Sequence, residues 1–225
     1  MTPPLPNLRY ERKFIAEGFT LAEALARVKR HPSAFHEVYP PRIVNNIYLD
    51  SPTRRDYHEH INGTANRSKT RVRWYGPQSE AAEQPRLERK LKRGLVSAKE
   101  SHALPPLSIN GARLRPLLAA AFDSTVLPPL LRSALWLAEP ALFNRYQRHY
   151  FLSRDGRFRL TVDSGLQFGV LQHGHLPAAL LPPAATVIIE LKFGLEFAGE
   201  ADAVTNALPF RVARFSKYVA GLERL

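Results

Sequence analysis

The stretch Arg67-Ser68-Lys69-Thr70-Arg71-Val72-Arg73 decides how this chain is read, because it carries a cation at every second position. Successive side chains of a β-strand point to opposite faces, so all of these cations leave the same side. Neighbours on that face stand about 6.6 Å apart, which at an effective dielectric of about 20 means roughly 2.5 kcal/mol of repulsion per pair. If the face meets water, salt screens that repulsion and the pattern is an ordinary basic edge strand. If it turns inward, something anionic must oppose it.

The stretch stops at Gly76-Pro77, and the next strand signal, Arg86 to Lys92, aligns Glu88, Lys90 and Lys92. Upstream, Leu8 to Ile15 puts Arg9, Glu11 and Lys13 on one face, with Tyr10 and Phe14 on the other. Residues 42–50 alternate too and end at Ser51-Pro52. Asn144 to Leu152 aligns Tyr146, Arg148 and Tyr150; Arg157 to Phe168 aligns Arg157, Arg159, Thr161 and Asp163. Ser153-Arg154-Asp155-Gly156 joins these two strands as a hairpin. Thr186 to Phe193 is the last predicted strand and carries Glu190 and Lys192 in phase. Thr20 and Glu23 form a capping-box pattern ahead of the helical stripe Leu21, Leu25 and Val28. Residues 105–142 read as a helical insertion cut by Pro116, Pro128 and Pro129, and Arg214 to Leu225 as a terminal helix. A proline-rich lead-in covers residues 1–7, and with no repeat or linker the expectation is a single domain over 1–225.

The charged faces share one grammar. Glu11-x-Lys13, Glu88-x-Lys90 and Glu190-x-Lys192 pair an acid with a base, while Arg71-x-Arg73 and Arg157-x-Arg159 pair two bases. Taken singly, each acid–base pair reads equally well as a cross-strand surface salt bridge. The opposite faces are aromatic or aliphatic: Tyr10, Phe14, Val72, Trp74, Leu87, Phe158, Leu160, Ile189. A sheet whose charged face curls inward gives a barrel with a charged lumen and an apolar exterior for helices to cover. Such a lumen suits a polyphosphate chain, each charge-assisted bond contributing about 1.5–3 kcal/mol. The interspersed glutamates make sense if a divalent cation sits between carboxylate and phosphate oxygens, and oxygen ligands favour Mg²⁺ or Mn²⁺ over zinc.

Composition narrows the classes. A net charge of +12 over 225 residues calls for an anionic partner. There is no cysteine, hence no disulfide framework and no thiolate metal site. No apolar run approaches the ~20 residues of a membrane span, and the N-terminal residues lack a signal-peptide pattern, so a cytoplasmic protein is expected. His58-Glu59-His60 and His173-Gly174-His175 lack further ligands in register for a metal. P-loop, Rossmann, nucleophile-elbow and kinase signatures are absent. A nucleic-acid surface would interleave exposed aromatics with the cations, whereas Trp74 and Phe158 alternate to the other face, so no nucleic acid is expected. Tyr146 and Tyr150 read as packing residues, Asp50 and Asp163 as turn caps or holders of arginines.

Eight motifs in order resemble the VTC domain, the polyphosphate polymerase domain within the triphosphate tunnel metalloenzymes. They are Arg9-Tyr10-Glu11-Arg12-Lys13-Phe14, Tyr48-Leu49-Asp50-Ser51-Pro52, Arg71-Val72-Arg73-Trp74-Tyr75-Gly76, Leu87-Glu88-Arg89-Lys90, Tyr146-Gln147-Arg148, Arg159-Leu160-Thr161-Val162-Asp163, Ile189-Glu190-Leu191-Lys192 and Phe215-Ser216-Lys217-Tyr218. The resemblance implies an α+β fold built on an eight-stranded antiparallel β-barrel tunnel with covering helices. It also implies a Mn²⁺ or Mg²⁺ ion and growth of polyphosphate from the ATP γ-phosphate. Matched to those motifs, Lys13, Arg71, Arg73, Lys90, Arg148, Arg159, Lys192 and Lys217 are the expected catalytic phosphate ligands. Lys69, Lys99, Arg157 and Ser216 are expected substrate contacts, and Glu190, Glu88 and Glu11 expected metal ligands. ATP, tripolyphosphate or polyphosphate are the expected partners, with an unidentified protein partner beside them. The sequence departs from the family in lacking its regulatory domain and membrane helices, and from the hydrolases of the superfamily in placing Arg9 where they carry a first Glu. A hydrolase needs a spare carboxylate to deprotonate water, so the departure at Arg9 favours transfer; a triphosphatase and a non-catalytic polyphosphate-binding module are the alternatives.

Overall fold

The computed structural model describes residues 8–77, 81–94, 96–171 and 173–225; the lead-in over residues 1–7 and part of the loop after Pro77 lie outside them. Eight principal strands form a ring. They are β1 (Arg9–Ile15), β2 (His36–Asp50), β3 (Asn66–Tyr75), β4 (Arg86–Arg93), β5 (Val96–Ala103), β6 (Glu139–Leu152), β7 (Phe158–Gly169) and β8 (Ile188–Gly194). The hydrogen-bonded order β8-β7-β6-β2-β3-β4-β5-β1 closes where β1 pairs back onto β8, all antiparallel. The β5–β1 seam is a single pair, Arg9 opposite Ser97, so closure rests mainly on the β1–β8 ladder from Arg9–Gly194 to Ile15–Ile188.

Seven of these strands follow from alternation. The eighth, β5, reads Val-Ser-Ala-Lys-Glu-Ser-His-Ala and offers no apolar face to detect; pairing with β4 across Gly94 makes it a strand. The second strand begins at His36 rather than at residue 42, running through Pro40-Pro41 with register shifts on either side of Tyr39. Prolines lack the ladder N–H, so a strand containing them survives only as a bulged edge.

Helices α1 (Leu21–Lys29), α2 (Arg55–Ile61), α3 (Leu114–Asp123), α4 (Pro129–Trp136), α5 (Ala201–Asn206) and α6 (Lys217–Leu222) fill the connections. The capping box forms: Thr20 Oγ accepts from Glu23 N at 3.3 Å, and Glu23 Oε2 accepts from Thr20 N at 2.8 Å. Pro129 opens α4, where its missing N–H is no loss. Asp50 caps α2, accepting from the backbone of Asp56 at 2.9 Å and Tyr57 at 3.1 Å and from the Tyr218 hydroxyl at 2.6 Å.

The outer barrel wall is apolar, as the strand pattern demands. Phe14, Leu160, Val162, Ile189 and Leu191 pack under α1 and α5. Ile47, Val72, Trp74, Leu87 and Phe143 pack under α3 and α4. Burying each such side chain contributes about 1.5–3 kcal/mol. The terminal helix behaves differently from an outer cover. Tyr218 of α6 clusters with Tyr48, which itself lines the cavity, and with Leu142, Tyr146 and Ile188, which are in phase with the lumen cations Arg148 and Lys192 on their strands. The inner faces thus turn from charged to apolar towards the end where β2 finishes and β6 begins, and α6 packs against that apolar part. No helix of the described residues is long and apolar enough to cross a membrane.

Candidate active site

The in-phase cations of separate strands converge on one cavity of about 430 Å³ inside the ring. Lys13, Lys69, Arg71, Arg73, Lys90, Lys99, Arg148, Arg159, Lys192 and Lys217 all line it, together with Ser216, Glu11, Glu88 and Glu190. With Arg9, eleven basic side chains face Glu11, Glu88 and Glu190 there, and even with Asp163 behind Arg148 and Lys217 the carboxylates number four, so internal pairing cannot neutralise the lumen. Arg157 does not join them. It sits in the turn before β7, pairs with Glu200 at 3.0 Å and lies 5.3 Å from the centre of the Phe197 ring, on the outside. The turn carries it away: Asp155 Oδ1 accepts from Arg157 N at 3.1 Å, and the ladder begins only at Phe158.

Three anionic centres hold the cations in place. Glu88 accepts from Arg71 Nη2 at 2.7 Å and from Lys99 Nζ at 2.8 Å, with Arg73 Nη1 at 3.5 Å. Burial opposes its ionisation, yet Arg71 and Arg73 overcome this and hold the carboxyl far below the usual range. Asp163, fully buried, bonds Arg148 through both oxygens at 2.6 and 2.7 Å and Lys217 at 2.6 Å. Against the cost of burial, those two cations bring its carboxyl down to about 2. Glu11 and Glu190 form the third centre as diagonal neighbours on β1 and β8, Glu11 opposite Lys192 and Lys13 opposite Glu190. Both carboxylates line the cavity and the charge of Glu190 opposes ionisation of Glu11, with Lys90 2.7 Å from Glu11 and Lys192 3.3 Å from Glu190. Burial resists charge on Glu190, but Lys192 and Lys13 keep it well below the usual carboxylate range.

Glu11 and Glu190 fit a hard divalent ion: two adjacent carboxylates aimed into a phosphate-sized lumen are what Mg²⁺ or Mn²⁺ requires beside substrate oxygens and water. Glu88 is the poorer candidate, since its oxygens are split between two cations, Arg71 and Lys99, whereas both oxygens of Glu11 face the single ammonium of Lys90 and Glu190 meets Lys192 and Arg148 only at 3.3 and 3.7 Å. Among the described residues no three acidic or imidazole groups form a metal-holding cluster, the histidine pairs included.

His60, on α2, meets Lys69. Arg67 Nε–H donates to His60 Nδ1 at 3.0 Å, and His60 Nε2 lies 3.2 Å from Lys69 Nζ. Lys69 Nζ also donates to Ser216 Oγ at 2.9 Å. Burial, then Lys13 and Lys90, push the Lys69 pKa well below its ordinary value. An entering phosphate oxygen reverses that balance, so tripolyphosphate binding is expected to draw protons from solution and to weaken as pH rises through the Lys69 titration. Calorimetry in buffers of different ionisation heat checks this; equal heats, or uptake unchanged in Lys69→Gln, would contradict it.

Tyrosines share the cavity wall with the cations. Tyr39, Tyr48, Tyr75, Tyr146 and Tyr150 all line the cavity. Tyr146 accepts from Arg73 Nη2 at 3.0 Å through its hydroxyl. The signal was available, because Tyr146 and Tyr150 are in phase with Arg148 on β6.

A ring of eight antiparallel strands around a basic lumen defines the triphosphate-tunnel class of fold. The chain belongs to the VTC domain family, whose model matches residues 8–225. No curated protein sequence matches it. Among solved structures it is similar to a candidate adenylate cyclase of Vibrio parahaemolyticus, at 12% identity and a TM-score of 0.55 over 96% of this chain and 98% of that one. A Pyrococcus horikoshii protein matches at 15% identity and a TM-score of 0.54, over 96% and 99%. A candidate adenylyl cyclase of Hippeastrum with a dominant triphosphatase activity matches at 12% and 0.52, over 96% and 95%. At these identities the likeness speaks for the fold.

Proposed function

We propose that this protein is a metal-dependent polyphosphate polymerase, transferring the γ-phosphoryl of ATP to a polyphosphate chain held in the lumen. The observation that carries the reading is the excess of cations over carboxylates on one cavity wall, placed on a VTC domain. In the transfer the bond between the γ-phosphorus and the β,γ-bridging oxygen breaks, ADP leaves, and a terminal phosphate oxygen of the acceptor forms the new bond. That acceptor is already ionised near neutral pH, so positioning and charge neutralisation suffice. Arg71 and Arg73, steered by Glu88, and Arg148 and Lys217, steered by Asp163, are presented as pre-set donors to phosphate oxygens. Lys192, Lys13 and Lys90 surround the Glu11–Glu190 pair, where a bound Mg²⁺ or Mn²⁺ would withdraw charge from the transferred phosphoryl. Among the described residues Arg159 and Arg9 have no carboxylate partner and stand free for the chain.

Hydrolysis is the second reading, and the Glu11–Glu190 pair is the observation in its favour, since one carboxylate can orient water while the other binds metal. The Hippeastrum structure's triphosphatase activity leans the same way. Incubation of purified protein with ATP and Mn²⁺ separates the readings. Polymerisation yields ADP and a long anionic product. ADP with orthophosphate alone assigns a triphosphatase, and binding without turnover assigns a polyphosphate-binding module.

A further inference from the structure

The lumen changes character at the end away from α6. There Tyr39, Tyr75 and Tyr150 line the same cavity as the cations. Between their rings sits Arg42, its guanidinium carbon 4.8 Å from the centre of Tyr39 and 5.7 Å from those of Tyr75 and Tyr150. Tyr39 meets Tyr150 edge-to-face at 5.8 Å.

This collar is a product of the β2 bulge. Residues three apart on a regular strand leave opposite faces. Tyr39 and Arg42 nevertheless meet, because the register slips on each side of Tyr39 across Pro40-Pro41. Among the described residues Arg42 forms no ion pair, so its charge is met by ring faces alone. A purely structural cluster would bury those rings, yet Tyr39 is 54% exposed and Tyr75 44% exposed. The mouth is therefore rimmed by flat, half-open aromatic faces backed by a planar cation, which is a stacking surface and a poor phosphate site.

We infer that this collar is a nucleobase site: the base of a nucleoside triphosphate stacks on Tyr39 and Tyr75 while its phosphates run into the cationic lumen. The inference rests on the reading of the lumen as a triphosphate site and adds the direction in which a nucleotide lies, base at the bulged end of β2 and γ-phosphate towards Lys13 and Lys69. Every base has a π-face, and stacking supplies no edge-specific readout, so the site accepts purines without discrimination.

The test is equilibrium binding of ATP, GTP and tripolyphosphate, with Mg²⁺ present, to the wild-type chain, Tyr39→Ala, Tyr75→Ala and Tyr39→Phe. Both alanine variants are expected to weaken ATP and GTP alike, by about five- to 150-fold from the usual strength of one base–aromatic stack. Tripolyphosphate affinity should not change, and Tyr39→Phe should bind ATP as the wild type does. If ATP and tripolyphosphate weaken together, or neither weakens, the collar is structural and the inference is wrong while the lumen reading stands. If the wild type binds no tripolyphosphate, the lumen reading and this inference both fall.

Discussion

Replacing Asp163 by asparagine should lower stability by about 3–5 kcal/mol, the usual cost of leaving buried charges without their partner. Asparagine keeps the shape, but Arg148 and Lys217, with side chains only 10% and 11% exposed, would then face a neutral amide. Both bonds of the Arg148 fork and the single bond of Lys217 end on this one carboxylate. In a domain of this size such a loss lowers the melting temperature by roughly 6–20 °C. The pH dependence has a defined sign. The folded carboxyl titrates at about 2, below its ordinary 3.8, so the unfolded chain takes up the proton first. Stability from this group is complete above about pH 4 and drains away as pH falls towards 2. Denaturant titrations from pH 7 to pH 2 should show that acid limb in the wild type and a shallower one in Asp163→Asn. A stability change under about 1 kcal/mol at pH 7 would mean that the two cations find other partners, and the rigid-clamp account would be abandoned.

Glu190→Gln should separate binding from turnover. Removing one of two adjacent carboxylates makes the lumen more positive, so tripolyphosphate is expected to bind at least as tightly as before. Turnover of ATP should fall by about 10²- to 10³-fold, the typical consequence of deleting one electrostatic element of a transition-state site. The substitution is nearly isosteric, and Lys192 keeps company with Glu11, so folding should survive. Parallel measurement of tripolyphosphate affinity and Mn²⁺-supported ATP consumption decides the matter. Full turnover in the variant would remove Glu190 from the chemistry; a collapse of binding would make it a structural strut.

The strand periodicity legible in the sequence is carried by side chains at two-residue spacing, and it survives folding because a pleated strand has no freedom to do otherwise. That is why the faces of Glu11 and Lys13, Arg71 and Arg73, and Glu190 and Lys192 came out as read. β5 was invisible for the converse reason: five of its eight residues are polar and they fall on both faces, so only pairing with β4 orders them. Arg157 shows the limit of parity arguments. It is in phase with Arg159, but phase holds only within the ladder, which starts one residue after Arg157, so the preceding turn carries it outside.

The sequence by itself determined that alternate faces of several strands are charged and apolar, that helices would cover the apolar one, and that an anionic partner was wanted. It also carried the VTC resemblance through its ordered motifs. Only the tertiary structure decided that the charged faces close on each other, that Glu88 holds Arg71 and Lys99 while Glu11 and Glu190 share one part of the cavity wall, and that Lys69 meets His60. These are distances between residues far apart in the chain, set by ring closure and by the strand registers with their shifts. Local periodicity fixes which way a side chain points and says nothing about what it meets.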